Sequence, residues 1–170
     1  MITFIFPGYS IKNKAWLEET AMSLKVEGFV RPIFWEHWSD PDYKFDAREK
    51  ANLVAKHTKG EKVNIVAKSI GSLVAAYVIG QIPNQINKVV ICGIPVNDIV
   101  ASNTEIIKKA LISLKPEELI CFQNVNDPHG TCFQVRALLP KNIKVVLKNR
   151  ADHNYPFYNE FNKFLSDNNK

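Results

Sequence analysis

Two hydrophobic periods alternate along this chain, and six short apolar runs stand out first. Residues 2–6 (ITFIF), 30–35, 63–67 (VNIVA), 88–92 (KVVIC), 119–122 (LICF) and 143–147 (IKVVL) are mostly apolar and short enough for strands. The first is apolar throughout, which predicts a central, parallel position. Pro32 removes a ladder donor from the second and predicts an edge. Between the runs lie stretches of helical period. Trp16, Leu17, Met22, Leu24 and Val26 mark a helix over 14–27 that Gly28 stops. Ala47, Ala51, Val54 and Ala55 form the inner face of another over 46–57, and 70–80 is apolar nearly all round. Further helices are expected over 104–114, 131–139 and 157–165. Strand and helix alternate six times without repeat, linker or low-complexity segment. The pattern predicts one α/β domain over 1–170, a three-layer sandwich with a mainly parallel sheet. Right-handed crossovers place any site beyond the C-terminal ends of the strands.

The third strand and its helix carry the first chemical signal. Between them stands Ala67-Lys68-Ser69-Ile70-Gly71, the small-x-Ser-x-Gly pattern of a nucleophile elbow. A serine on so sharp a turn needs small neighbours, and Ala67, Gly71 and Ser72 meet that demand. The turn lifts Ser69 Oγ clear of the sheet and sets it at a helix N-terminus, where backbone N–H groups bind a developing oxyanion. The bland alternative is a tight turn bearing a surface serine.

A serine hydroxyl needs a base, and the base needs an orienting carboxylate. Of four histidines, His57 lies late in a helix, and His37 sits between Trp35 and Trp38 in WEHWSD, where a structural role is the ordinary reading. His129 follows Asp127-Pro128 and is placed along the pocket. His153 is the favoured base, in the loop Arg150-Ala151-Asp152-His153-Asn154-Tyr155 between the last strand and the last helix. The acid is open among three aspartates. Asp127 follows the fifth strand in NDPHG, which also reads as a plain turn; Asp98 follows the fourth; Asp152 adjoins the histidine. Asp127 is preferred. If the set assembles, Ser69 Oγ should lie within about 3.5 Å of a His153 ring nitrogen, allowing for loose geometry without substrate.

Ser69, Asp127 and His153 each end a different strand, in the chain order Ser, Asp, His. In this the sequence resembles the α/β-hydrolase superfamily: AKSIG resembles its elbow, NDPHG its acid loop and ADHNY its histidine loop. The resemblance spans nearly the whole chain and implies a minimal, lidless α/β-hydrolase fold. The chain starts at the position of the family's third strand, which implies a six-stranded parallel sheet of order 2-1-3-4-5-6. PGYS after the first strand resembles the oxyanion loop, which makes Tyr9 and Ile70 the N–H donors. Pro7 stands where the family often has His, and Ala67 where it often has Gly.

The resemblance implies a serine hydrolase of the carboxylesterase type (EC 3.1), cleaving a small ester, thioester or amide through an acyl-enzyme, without metal or cofactor. Only 93–116 separates the fourth and fifth strands, so the site should be open and suit small acyl groups. Gly8, Lys68 and His129 are assigned to substrate binding. Tyr9, Trp35, Trp38, His129 and Tyr155 are expected near the rim, each also readable as packing. Lys68 favours anionic substrates in one reading and sits solvated at the turn in the other. Two opposing readings stand: a non-catalytic protein-interaction module on the same scaffold, and a plain doubly wound binding domain. The latter calls for a phosphate-cradling loop after the first strand, and PGYSIKNK lacks its run of glycines or hydroxyl residues.

Composition narrows the class further. The chain has 170 residues, 46% of them hydrophobic, enough to build a core without disulfides or metal. The net charge of +5 comes from 22 basic and 17 acidic residues that are scattered, without a basic tract, so no nucleic-acid partner is expected. Three cysteines, Cys92, Cys121 and Cys132, lack metal-ligand spacing and fit a reducing compartment. MITFIFPGYS has no basic n-region, and no segment reaches a membrane span, so a cytoplasmic protein without membrane association is expected.

Overall fold

The computed structural model describes residues 1–167; the last three residues of the expected domain, 168–170, lie outside them. Six strands form one sheet: β1 (Ile2–Phe6), β2 (Phe29–Pro32), β3 (Val63–Lys68), β4 (Ile86–Cys92), β5 (Leu119–Asn124) and β6 (Lys144–Lys148). Their order is β2-β1-β3-β4-β5-β6, and every neighbouring pair is parallel. The expected order and direction are both borne out. All five residues of β1 are buried, and the strand is flanked on both sides, as an unbroken apolar run requires. β2, with its proline, is an edge.

Six helices cover the two faces: α1 (Lys14–Ser23), α2 (Ala47–His57), α3 (Gly71–Gln81), α4 (Ala101–Ile112), α5 (Cys132–Leu138) and α6 (Tyr158–Ser166). The core divides accordingly. Phe4, Phe6, Ile65, Ala67 and Ile91 pack toward α2, α3 and α4, while Ile5, Val66, Val90 and Phe122 pack toward Trp16, Leu17, Phe161 and Leu165 of α1 and α6. Alternation along each strand supplies both layers at once. No helix among the described residues is long and apolar enough to cross a membrane.

One helix differs from expectation. α1 ends at Ser23 rather than at Glu27, and Met22, expected on its inner face, is 77% exposed. The cause of the early end lies far along the chain. Asn162 of α6 accepts from Lys25 N–H at 2.7 Å and donates to Ser23 O at 2.8 Å, binding the backbone groups that another helical turn would have used.

The loops at the C-terminal ends of the strands are tied together by buried polar groups. β5 runs two residues past its expected end, to Gln123 and Asn124, both inaccessible to solvent. Gln123 Nε2 donates to Gly130 O at 2.6 Å, fixing the 124–130 loop. Asn124 Nδ2 donates to Asp152 O at 2.7 Å and Asn154 O at 3.0 Å, fixing the loop that carries His153. One strand end thus positions two neighbouring loops.

Candidate active site

β3 and α3 meet at Ser69, whose backbone is held at φ +56°. This left-handed conformation costs an L-residue roughly 1–2 kcal/mol. Its surroundings hold it there. Ser69 N–H donates to Cys92 O at 3.0 Å, and Ser69 O accepts from the N–H and hydroxyl of Ser72 at 2.9 and 2.6 Å. At Gly71 a Cβ would lie 2.3 Å from Phe6 O, so the elbow can close onto β1 only with glycine there. The small residues around Ser69 are a steric requirement of this turn.

The loop after β1 is clamped from the far side. Trp35 Nε1 donates to Gly8 O at 3.0 Å, and Trp38 Nε1 donates to Tyr9 O at 2.7 Å. His37 Nε2 also meets Tyr9 O, at 2.8 Å; a carbonyl only accepts, so this nitrogen carries the proton. The two indoles lie three residues apart about the 3-10 turn Glu36–Trp38, a spacing that stacks side chains on one face. A peptide carbonyl and the N–H that follows it point in opposite directions. Anchoring Gly8 O on Trp35 therefore turns Tyr9 N–H the other way. Neither Tyr9 N–H nor Ile70 N–H, at the start of α3, has an acceptor among the described residues.

Asp127 and His153 meet directly. His153 Nδ1 lies 2.7 Å from Asp127 Oδ2. That oxygen also accepts from the Tyr155 hydroxyl, and Oδ1 accepts from His129 N–H at 2.9 Å. Asp127 is wholly buried. Burial alone would push its carboxyl up, but the His153 and Tyr155 hydrogen bonds, the His153 charge and the His129 N–H together hold it below the usual carboxylate range. Burial and the Asp127 contact push the Tyr155 phenol far up, so it remains a donor. An ionised carboxylate can only accept, so Nδ1 of His153 carries the proton, and in the neutral ring Nε2 then keeps its lone pair. His153 Nε2 is shielded from solvent and has no hydrogen-bond partner among the described residues. It makes no hydrogen bond with Ser69 Oγ; such bonds commonly tighten only when substrate arrives.

The other carboxylates go elsewhere. Asp98 pairs with His129 Nδ1, and Asp152 accepts from Arg150 and from Asn154 N–H. His129, whose ring centroid is 4.3 Å from that of His153, reaches both pairs: its backbone serves Asp127 and its side chain serves Asp98. Tyr155 and Trp35, placed near the rim by sequence, are instead fully enclosed, Tyr155 beneath Asp127 and Trp35 beneath the Gly8 loop. Tyr155 fits there because Gly93 offers no side chain; a Cβ would lie 2.5 Å from its ring.

Of the two readings of Lys68, the structure sets aside the solvated one. The residue is 5% exposed, with Nζ 2.8 Å from Asn13 Oδ1 and 5.4 Å from the centre of the Trp16 ring. Burial lowers its pKa to about 8. Lys68, His129 and His153 line one cleft of about 500 Å³ with Ser10, Asn13 and Trp16. A second groove of about 580 Å³, across α2, α3 and α4, contains none of the candidate residues. Among the described residues, no group of three or more histidine, cysteine or acidic side chains is arranged to hold a metal.

Comparison with known proteins agrees with this architecture. No family model and no curated sequence matches the chain. Solved structures do. A lidless α/β serine hydrolase from Xanthomonas campestris superposes with a TM-score of 0.67 at 15% identity, over 96% of this chain and 78% of that one. A predicted CIB-like hydrolase from Thermoplasma acidophilum gives 0.61 at 14% identity, over 95% and 82%. YbtT, a type II thioesterase of the yersiniabactin NRPS/PKS pathway, gives 0.56 at 14% identity, over 96% and 88%.

Proposed function

We propose that this chain, which has the α/β-hydrolase fold, is a serine hydrolase acting by acyl transfer. The observation that carries the reading is the state of His153: Nδ1 is committed to a fully buried carboxylate, leaving a basic Nε2 without a partner. A histidine oriented in this way is prepared to take a proton. Ser69, on its strained turn, is the nucleophile. Its Oγ attacks the carbonyl carbon of an ester, thioester or amide as His153 Nε2 takes its proton. Asp127 holds the tautomer and stabilises the imidazolium. Tyr9 and Ile70 N–H receive the oxyanion, where losing one donor costs on the order of 100-fold or more. The tetrahedral adduct collapses, His153 protonates the leaving alcohol, thiol or amine, and the acyl group stays on Ser69. Water, deprotonated by His153, then releases the acid.

A carboxylesterase acting on small acyl groups is the narrower reading, supported by how little chain, one helix and its loops, separates β4 from β5. Two hydrolases and a thioesterase among the structural neighbours also support acyl chemistry. Three free, buried cysteines support a cytoplasmic setting. The test is labelling with a fluorophosphonate probe. Wild type should label, and Ser69→Ala and His153→Ala should not. A folded wild type that stays unlabelled would transfer the proposal to a protein-interaction module.

A further inference from the structure

We propose that the cleft lined by Lys68 and His153 selects acyl substrates that carry a carboxylate, and that Lys68 is the residue that reads it. This deepens the hydrolase reading and rests on it. Three buried lysines make the case by contrast. Lys50 is 3% exposed and has Glu36 at 2.7 Å and the Tyr43 hydroxyl at 2.6 Å. Lys88 is nearly as buried and donates to Glu117 O at 2.7 Å, at the edge of the fold. Lys68 is as buried as these and, unlike Lys50, forms no ion pair among the described residues; its one hydrogen bond, like that of Lys88, is to a neutral group, the Asn13 carboxamide, but Lys68 alone of the three lines the cleft. A buried ammonium has three donors, and leaving it without an anion is costly.

The nearby carboxylates are already engaged. Asp127 accepts from His153, Tyr155 and His129, and Asp152 from Arg150, Asn124 and Asn154. Cys92, behind Lys68 on β4, has its thiol pushed well up by burial and is uncharged at neutral pH. Of the cleft's other charged groups, Lys12 adds a positive charge and Glu19 a negative one. The ammonium therefore has spare donors at the wall of a cleft sized for a small molecule. His153, the candidate base, lines the same cleft, so a ligand held by Lys68 would lie beside the group proposed to move the proton. A single ammonium matches a singly charged carboxylate; a phosphoryl dianion would call for further cations or a nest of backbone donors.

The test is equilibrium binding to the Ser69→Ala protein, which cannot turn over its ligands, followed by NMR titration. The ligands are the monoethyl esters of succinate, glutarate and adipate, with ethyl hexanoate as neutral comparator and ethyl 4-phosphonobutanoate as phosphoryl comparator. At least one half-ester should bind tenfold or more tighter than ethyl hexanoate. That preference should vanish in Ser69→Ala/Lys68→Met and in Ser69→Ala/Lys68→Gln, with circular dichroism confirming both folds. Equal binding of charged and neutral esters, or a preference that survives loss of Lys68, would overturn the proposal. Tighter binding of the phosphonate would overturn the carboxylate assignment. Fluorophosphonate labelling of wild type reports separately on the hydrolase reading, so the two can fail independently.

Discussion

Two aspartate–histidine pairs stand side by side in this molecule, with the same chemistry and opposite surroundings. Asp127 and His153 are 0% and 16% exposed; Asp98 and His129 are 50% and 43% exposed. The buried carboxylate receives three hydrogen bonds, from an imidazole, a phenol and a backbone N–H, and so has one geometry. The exposed carboxylate receives the imidazole alone among side chains and competes with water. Contact is therefore a poor guide to function. What distinguishes the first pair is that its carboxylate is buried and held by three donors, while Nε2 of its histidine is left without a partner among the described residues.

The comparison breaks most sharply at the carboxylates. Asp127→Asn replaces an acceptor with a group that can donate, which favours the wrong His153 tautomer; turnover or labelling rate should fall on the order of 10³- to 10⁴-fold. Asp98→Asn should change it less than about threefold, as expected of an exposed pair. Equal losses, measured with one probe on both variants, would place the base at His129 and refute the assignment.

A smaller effect sharpens the same contrast. Tyr155→Phe removes one of three donors to Asp127 and leaves its hydroxyl site dry beneath the loop. Stability should fall by about 1–3 kcal/mol, and labelling should slow by about tenfold, read by urea unfolding and by probe kinetics on the same preparation. Unchanged kinetics would mean that His153 alone suffices to orient the acid.

Acid should then separate the pairs without mutation of either histidine. The Asp127 carboxyl is held below its ordinary value in the folded chain. Its ionised form therefore contributes stability that is fully present above roughly pH 4, the unfolded value. That contribution is lost as pH falls through the depressed folded value. Urea midpoints measured from pH 6 to pH 3 should drop more steeply for wild type than for Asp127→Asn. Lys68 shifts stability in the same direction with pH, but as a cost relieved rather than a gain acquired. Its value is lowered by burial to about 8, so below pH 8 it carries the cost of a buried charge, and that cost disappears as pH rises toward its unfolded value. Any carboxylate preference should accordingly weaken above about pH 8.

Much of this was legible in the sequence, and most of what was not shares a cause. Binary patterning located all six strands: the four inner ones are almost wholly buried between two helical layers, while the edge strands β2 and β6 are part-exposed, and β2 ends at Pro32 rather than at residue 35. The short loops holding Ser69, Asp127 and His153 were legible because glycine, proline and polar residues cluster at strand ends. The burial of Lys68 was not legible because it depends on Asn13 and Trp16, more than fifty positions earlier. The end of α1 was misplaced because Asn162 binds the backbone at Ser23 and Lys25 from across the fold, whereas Met22 is exposed simply because it lies on the face of α1 away from Trp16, Leu17 and Thr20. The WEHW segment was noticed but not understood. Its two tryptophans at i, i+3 formed a visible stripe, but nothing local says that their N–H groups grip the carbonyls of residues 8 and 9. Local pattern fixes elements; the polar ties between elements are set by partners distant in sequence.

The smallest expected effect is also the cleanest measure of that point. A double-mutant cycle on Asp98 and His129, read as unfolding free energy, should give a coupling of about 0.2–1 kcal/mol that shrinks as salt is added. The same cycle on Asp127 and His153 should give roughly 1.5–3 kcal/mol, as for a hydrogen bond to a charged group, and should hardly respond to salt. His129→Ala also removes a ring packed against His153, but the cycle cancels that loss, since it occurs with or without Asp98. Two pairs of one composition would then differ several-fold in coupling through burial alone. Equal couplings would mean that the other two donors to Asp127, the Tyr155 hydroxyl and the His129 N–H, add nothing to its hold on His153, and Tyr155→Phe should then leave the labelling rate unchanged.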